Sequence, residues 1–293
     1  MVLTEFLEAY TLARSLSLAP RTVEAERRFI SMIAAAPIGS IALEQLRPAD
    51  IVGFLSPIYA VHQRTAQMIY VYLLTASGTD PRLSAAMQGV TKPRHNAAPI
   101  NPFSADELSR LINGTSSPAW RCCWILAGVY GLRRGELCGL RWADVDLDHN
   151  IIHINVQRQY IGGVLRETPL KSRASRRDLP VIDILSDALA ALLPTSERYV
   201  VPYAPMTIYH ELQKRCASLG LRRISLHSLR HTCASIAVEN NQNLHLVQLM
   251  LGHASESTTA RIYTHVSTAS LCSPLSCIKK HLTLNQGVQG SSP

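Results

Sequence analysis

His227 and Arg230 stand three residues apart at the start of the stretch LHSLRHTCASIAVENNQNLHLVQLMLGHASESTTARIYTHV, Leu226 to Val266. A helix puts residues three apart on one face, so both side chains can aim at one target. A guanidinium fork beside an imidazole suits a phosphate diester. A third basic group follows in Leu251-Gly252-His253, and then Tyr263, whose hydroxyl can serve as a nucleophile. Two more cations come from far upstream: Arg133 in Gly131-Leu132-Arg133-Arg134-Gly135-Glu136, and Lys171 in the basic run LKSRASRRDLPV. Two arginines can grip the non-bridging oxygens of one diester and stabilise the extra charge of its pentacoordinate transition state. Attack by tyrosine would leave a covalent phosphotyrosine, which conserves the bond energy for rejoining. A lysine or histidine can protonate the departing sugar oxygen. The arginines supply the positive charge, so the chemistry calls for no metal or other cofactor. The sequence also lacks the clustered Asp and Glu of a two-metal site.

Taken singly, each residue has a plainer reading. Arg133 with Glu136 fits an ion pair at a helix start, and Lys171 fits a solvated turn charge. Gly252-His253 fits a helix C-terminus with a capping imidazole. Tyr263 is one of ten tyrosines, and a half-buried packing role suits it. Arg173, Arg176 and Arg177 fit contacts to a phosphate backbone.

The elements that must position these groups follow from hydrophobic periodicity. Leu3, Phe6, Leu7, Tyr10 and Leu12 predict a helix over residues 3 to 16. A second helix begins at Pro20 and stops before Pro37; a short third, IVGFL, ends before Pro57. A fourth runs from about Ala60 to Ala76, broken by Ser77-Gly78-Thr79-Asp80-Pro81. Residues 89 to 102, GVTKPRHNAAPINP, have no periodicity and predict a linker between domains. Ser104 and Glu107 form a capping box, and Trp120 to Tyr130 a buried helix ended by Gly131. Ile152, Ile154 and Val156 alternate as a strand, Gly162-Gly163 turns, and VLRETPLK and RRDLPV add two more strands. Helices are expected at about 183 to 193 and 205 to 218, and Leu271, Leu275, Ile278 and Leu282 share one face of a last helix. The fold class is mainly α with one small antiparallel β-sheet.

Composition bounds the partner. The net charge is +8, which favours a polyanion, with nucleic acid the default. Hydrophobic residues at 47% and charged residues at 17% predict a folded core rather than disorder. The seven cysteines lack a Cys-x-x-Cys spacing and sit mostly in apolar runs, as reduced core residues do. No signal peptide and no apolar run of roughly 18 residues is visible, so a cytoplasmic protein without membrane association is expected.

The blocks GLRRGELCGLRWADVDLD, LKSRASRRDLPV, LHSLRHTCAS and LVQLMLGHASESTTARIYTHV together resemble the tyrosine recombinase (phage integrase) family. The family order is Arg, Lys, His-x-x-Arg, His or Trp, and Tyr, and all six positions are filled between about Asn101 and Ser267. The resemblance implies a four-helix core-binding domain over residues 1–88, a linker over 89–102, a mixed α/β catalytic domain over 103–271 and a tail over 272–293. It implies that Arg133 and Arg230 clamp the scissile phosphate, and that Lys171 is the general acid. By the same likeness His227 assists proton transfer, His253 hydrogen-bonds the phosphate and Tyr263 attacks. Glu136 would orient the Arg133 region. The implied activity is site-specific DNA recombination through a 3′-phosphotyrosine and a Holliday junction, by a homotetramer on two double-stranded DNA sites, with an accessory directionality factor as a further partner. Two other readings share the residues: a type IB topoisomerase-like strand-passing enzyme, and a DNA-binding protein that keeps the fold without catalysis. Arg21, Arg64, Lys92 and Arg94, with Arg173, Arg176 and Arg177, are the candidate DNA contacts. For the tail helix the resemblance implies docking on a neighbouring protomer, with packing on its own domain as the alternative.

Overall fold

A computed structural model describes residues 1–96, 101–170, 172, 175–193, 195–252 and 268–284. The chain divides into two compact units, Met1–Pro99 and Ile100–Pro293. Among the described residues no helix is long and apolar enough to cross a membrane.

The first unit is helical: α1 (Leu3–Arg14), α2 (Pro20–Ala34), α3 (Pro48–Val61), α4 (Gln63–Ser77) and α5 (Pro81–Met87). Proline opens α2, α3 and α5, where its missing N–H has no intrahelical partner to lose. Leu3 and Leu7 of α1 meet Ile33 of α2, Ile51 of α3, Ile69 and Leu73 of α4 and Leu83 of α5 in one core. Two expectations are corrected here. The α3 helix does not end before Pro57 but carries it inside. The ring removes the bond to the carbonyl of Gly53, and both residues are exposed, so water can take that carbonyl. Buried Ile51 and Leu55 hold the helix to the core below. Among its described residues the unit also has five α-helices rather than four, because the break at residues 77 to 81 is followed by α5, capped by the Asp80 carboxylate accepting from the Arg82 N–H at 2.8 Å.

The second unit begins with α6 (Ala105–Asn113), whose capping box is the one expected: the Glu107 N–H donates to Ser104 Oγ at 3.1 Å and the Ser104 N–H to Glu107 Oε2 at 2.8 Å. The central α7 (Pro118–Gly128) is buried along most of its length, and Trp124 and Tyr130 anchor the core. Then come α8 (Arg134–Gly139) and five strands: β1 (Val145–Asp146), β2 (Ile151–Ile154), β3 (Val156–Ile161), β4 (Val164–Pro169) and β5 (Arg177–Pro180). They form two antiparallel sheets, β1-β2-β5 and the hairpin β3-β4, not one. The run 151–161 breaks at Asn155, which turns its amide to Asp144 Oδ1 at 3.1 Å. Before the break the chain pairs with β5, with Ile152 opposite Leu179. After it the partner is β4, with Ile161 opposite Val164 across Gly162-Gly163.

Four further helices follow β5 and α9 (Asp183–Ala190): α10 (Pro205–Ser218), α11 (Leu226–Glu239), α12 (Leu244–Leu251) and α13 (Cys272–Leu284). The tail helix α13 lies on its own unit. Leu271, Leu275, Ile278 and Leu282 are all buried in the core around α7. Ser109 of α6 donates to the Leu282 carbonyl at 2.9 Å. Of the two expected arrangements, packing on its own domain is the one this single chain adopts, with the apolar face of the helix covered in cis.

Candidate active site

Helix α11 starts where Ser225 accepts from the Ser228 N–H at 3.0 Å, and this cap fixes the turn that carries His227 and Arg230. Arg230 is 3% exposed. It donates to the Gly131 carbonyl at 2.8 Å and to the Leu251 carbonyl at 2.6 Å. Two of its five N–H groups are thereby engaged. Gly131 makes this approach possible. Its φ is +63°, and a Cβ there would lie 2.4 Å from Leu251 Cδ2. Burial, and then the neighbouring Arg133, pull the Arg230 guanidinium down to about 10, so it stays cationic at neutral pH.

Arg133 stands at the N-cap of α8. Its backbone N–H donates to Glu136 Oε2 at 3.0 Å, and its guanidinium to Glu136 Oε1 at 2.7 Å and to the Gly252 carbonyl at 2.5 Å. The ion pair read from sequence as an alternative to catalysis is thus present, and it does not exclude a phosphate role. The Arg133 side chain is 35% exposed, while Glu136 is 1% exposed. One terminal nitrogen is held by the carboxylate and the other by the Gly252 carbonyl, while part of the side chain stays exposed to the groove. Arg177 closes the cluster from β5. It donates to Glu136 Oε2 at 2.9 Å, to the Met250 carbonyl at 2.6 Å and to the Ser175 carbonyl at 2.9 Å. Burial alone would raise the Glu136 carboxyl, but Arg177 and then Arg133 hold it below its ordinary value.

The cluster has a simple charge pattern. Two guanidinium groups pair with one buried carboxylate and a third, that of Arg230, lies within its field, so positive charge is in excess. The three successive carbonyls at the end of α12, Met250, Leu251 and Gly252, each accept from a different arginine. That places cations at the negative end of a helix dipole. His227 lies on the same face as Arg230, its ring 4.6 Å from that of His231 and edge-on to it. Burial, then His231, Arg230 and Arg133, lower the His227 pKa, which leaves the imidazole neutral and basic near pH 7. Arg133, His227 and Arg230 line one groove of about 680 Å³ with Leu132, Arg134, Met206, Tyr209, Ser225 and Leu226. A groove with two cationic forks and a neutral imidazole can hold a phosphodiester, stabilise added charge on it and accept a proton.

The structure brings together three of the six residues expected to react: Arg133, His227 and Arg230. Lys171, His253 and Tyr263 lie outside the described residues, as does Arg173. Of the expected DNA contacts, Arg21, Arg64, Lys92, Arg94 and Arg176 are exposed. Arg177 is a correction. Its side chain is 7% exposed and tied to Glu136, so it cannot reach a phosphate backbone. The alternation of β5 carried the signal: residues 177 and 179 share a face, and Leu179 is buried. Sequence reasoning also missed Ser175, buried beside Arg133 at 3.4 Å, and the groove residues Met206 and Tyr209. Nothing in the spacing of α10 marked the last two. Among the described residues no group of three or more His, Cys, Asp or Glu side chains could hold a metal ion.

Comparison with known proteins places this geometry. The model of the phage integrase family matches residues 103–270. Tyrosine recombinase XerC of Mycobacterium sp. (strain KMS) is 32% identical over 145 residues, 48% of this chain and 47% of that protein. Tyrosine recombinase XerA of Thermococcus onnurineus (strain NA1) is 31% identical over 163 residues, 52% of each. The chain thus matches only about half the length of these curated relatives. Among solved structures, the Tn1549 transposon integrase in complex with transposon right end DNA superposes with a TM-score of 0.71 at 19% identity, over 94% of this chain and 99% of that one. A lambda integrase dimer bound to a COC′ core site gives 0.66 at 18% identity, over 91% and 99%. At these identities the structures show a shared fold.

Proposed function

This chain belongs to the phage integrase family, and from that premise we propose that it is a site-specific DNA recombinase that breaks and rejoins DNA through a covalent phosphotyrosine. The observation that carries the reading is the convergence of Arg133, His227 and Arg230 on one groove with positive charge in excess. A phosphodiester carries one negative charge, and its pentacoordinate transition state carries a second. Fixed guanidinium groups stabilise that second charge more than the first, which is the condition for catalysis.

In this mechanism Arg133 and Arg230 grip the two non-bridging oxygens of the scissile phosphate. Tyr263 attacks phosphorus, and His227, neutral at pH 7, takes up its proton. Lys171 protonates the departing 5′ oxygen, and His253 hydrogen-bonds the phosphate. The products are a 3′-phosphotyrosyl strand and a free 5′ hydroxyl. Attack by a 5′ hydroxyl from a partner duplex reverses the step with a new connection, so no high-energy cofactor is consumed. Repetition on the second strand pair passes through a Holliday junction and requires four protomers on two sites. The lambda integrase, which shares this fold, has been solved as a tetramer bound to a Holliday junction.

A plasmid assay tests the reading. The preferred duplex is selected from a random library by binding, then placed twice on one supercoiled plasmid. Recombination predicts deletion or inversion of the interval between the copies. Relaxation of the plasmid without rearrangement would instead assign a topoisomerase-like activity, and no strand breakage at all would assign DNA binding alone.

A further inference from the structure

Arg177 is the buried arginine that the mechanism does not use. It is tied to three things at once: the Glu136 carboxylate at 2.9 Å, the Met250 carbonyl at 2.6 Å and the Ser175 carbonyl at 2.9 Å. Each belongs to a different segment. Glu136 holds Arg133 from α8. Met250 lies in the last turn of α12, two residues before the Gly252 that Arg133 also grips and three before His253 in sequence. Ser175 lies within 3.4 Å of Arg133 and four residues after Lys171 in sequence. One side chain therefore links the Arg133 loop, the end of α12 and the segment that precedes β5.

A planar fork explains why the residue is an arginine. Its Nε and two terminal nitrogens reach three acceptors that diverge from one another, and each bond uses a different nitrogen. An ammonium on a flexible stem has a single nitrogen and cannot hold these three groups in one plane. The charge matters as well. Glu136 faces two guanidinium groups, and the one from Arg177 is the more buried, with a side chain 7% exposed against 35% for Arg133. Arg177 thus fixes the carboxylate, and the carboxylate fixes the open guanidinium of Arg133.

We propose that Arg177 is a positioning residue of the cleavage reaction: it sets the place of the Arg133 guanidinium through Glu136 and locks the end of α12 against it, without touching DNA. The inference rests on the recombinase reading above. A misplacement of about 1 Å in a phosphate-gripping group slows chemistry by as much as roughly a hundredfold. The effect falls on the chemical step, because the groove that binds DNA keeps its other charges.

The test measures covalent adduct formation in a single turnover, on a nicked duplex carrying the library-selected sequence. Wild type, Arg177→Lys, Arg133→Lys, the double variant and Arg176→Ala are compared, with duplex affinity against salt and the melting midpoint for each. The expected result for Arg177→Lys is a folded protein with duplex affinity within about twofold of wild type and adduct formation slowed roughly tenfold to a hundredfold. The double variant should be no slower than Arg133→Lys, since residues acting through one another are not additive. Arg176→Ala, at an exposed position, should lower affinity and its salt slope instead. An unchanged adduct rate in Arg177→Lys would overturn the proposal. So would multiplicative losses in the double variant, a reduced salt slope in Arg177→Lys, or an Arg177→Lys chain that fails to fold, which would assign the residue to stability alone. Absence of adduct in wild type itself would count against the recombinase reading and so be told apart from all of these.

Discussion

At Glu136 a carboxylate that water scarcely reaches meets two guanidinium groups. Removing one partner of a buried pair leaves uncompensated charge, so Glu136→Ala is expected to cost about 3–5 kcal/mol in thermal or denaturant unfolding at pH 7. The pH dependence has a definite sign. The folded carboxyl is held below its unfolded value, so its stabilisation is complete above the ordinary carboxylate pKa and is lost as pH falls through the folded value. The gap between wild type and Glu136→Gln should therefore narrow as the solution is acidified below about pH 4.5. A gap that widened in acid would contradict the assignment. His227 gives a second residue-scale prediction. Its pKa is lowered first by burial and then by His231, so the acid limb of the single-turnover cleavage rate should lie below about pH 6.5. His231→Phe keeps the bulk and removes one lowering influence, and the limb should move towards higher pH; a limb that stays in place would leave His227 without this tuning. At this scale the candidates were legible because His227 and Arg230 stand three apart and Arg133 sits in the distinctive block GLRRGELCGLRWADVDLD. Arg177 was misread because three arginines within five residues look like a solvated patch, although the strand period put it on the face of Leu179.

Among the elements, the end of α12 and the turn at Gly131 do most to assemble the site. The Gly131 carbonyl holds Arg230, and the three carbonyls ending α12 hold Arg177, Arg230 and Arg133. Gly131→Ala would place a Cβ 2.4 Å from Leu251 Cδ2 at a φ of +63°. The left-handed backbone alone costs roughly 1–2 kcal/mol, and Leu251 must also shift. Lower stability and a loss of covalent adduct are both expected, and a variant with full cleavage would show that this contact is dispensable. The tail helix makes a separate prediction. With Leu275 and Ile278 buried on their own unit, Leu275→Ala should lower stability by about 2–5 kcal/mol, by the same amount at every protein concentration. A loss that appeared only where protomers associate would restore docking in trans. Most helices were legible from their periodicity and opening prolines, but Pro57 gave a false end to α3 and the short α5 was missed. The split of the strands into two sheets was not legible, because nothing in the run 151–161 marks Asn155 as the place where pairing changes partner.

For the whole molecule, the net charge of +8 sets an electrostatic scale for DNA binding. Each phosphate neutralised contributes roughly −0.9 to the slope of log affinity against log salt. Exposed Arg64 and Arg176, one in each unit, should each remove about one phosphate contact when changed to alanine, seen as a shallower slope on any duplex. An unchanged slope would show that the residue faces solvent in the complex. The family was legible in the order of four motifs spread over the second unit, and the match over residues 103–270 covers the same ground. The first unit, whose helices carry no reactive motif, was legible only in helical character. In the proposed reaction the groove of Arg133, His227 and Arg230 presents a phosphodiester to Tyr263. Its most direct test is to trap the protein on a nicked duplex, digest both, and identify the modified peptide by mass spectrometry. A nucleotide joined through its 3′ phosphate to Tyr263 is expected, and no adduct with Tyr263→Phe. A nucleotide on any other residue, or an adduct that persists in Tyr263→Phe, would contradict it.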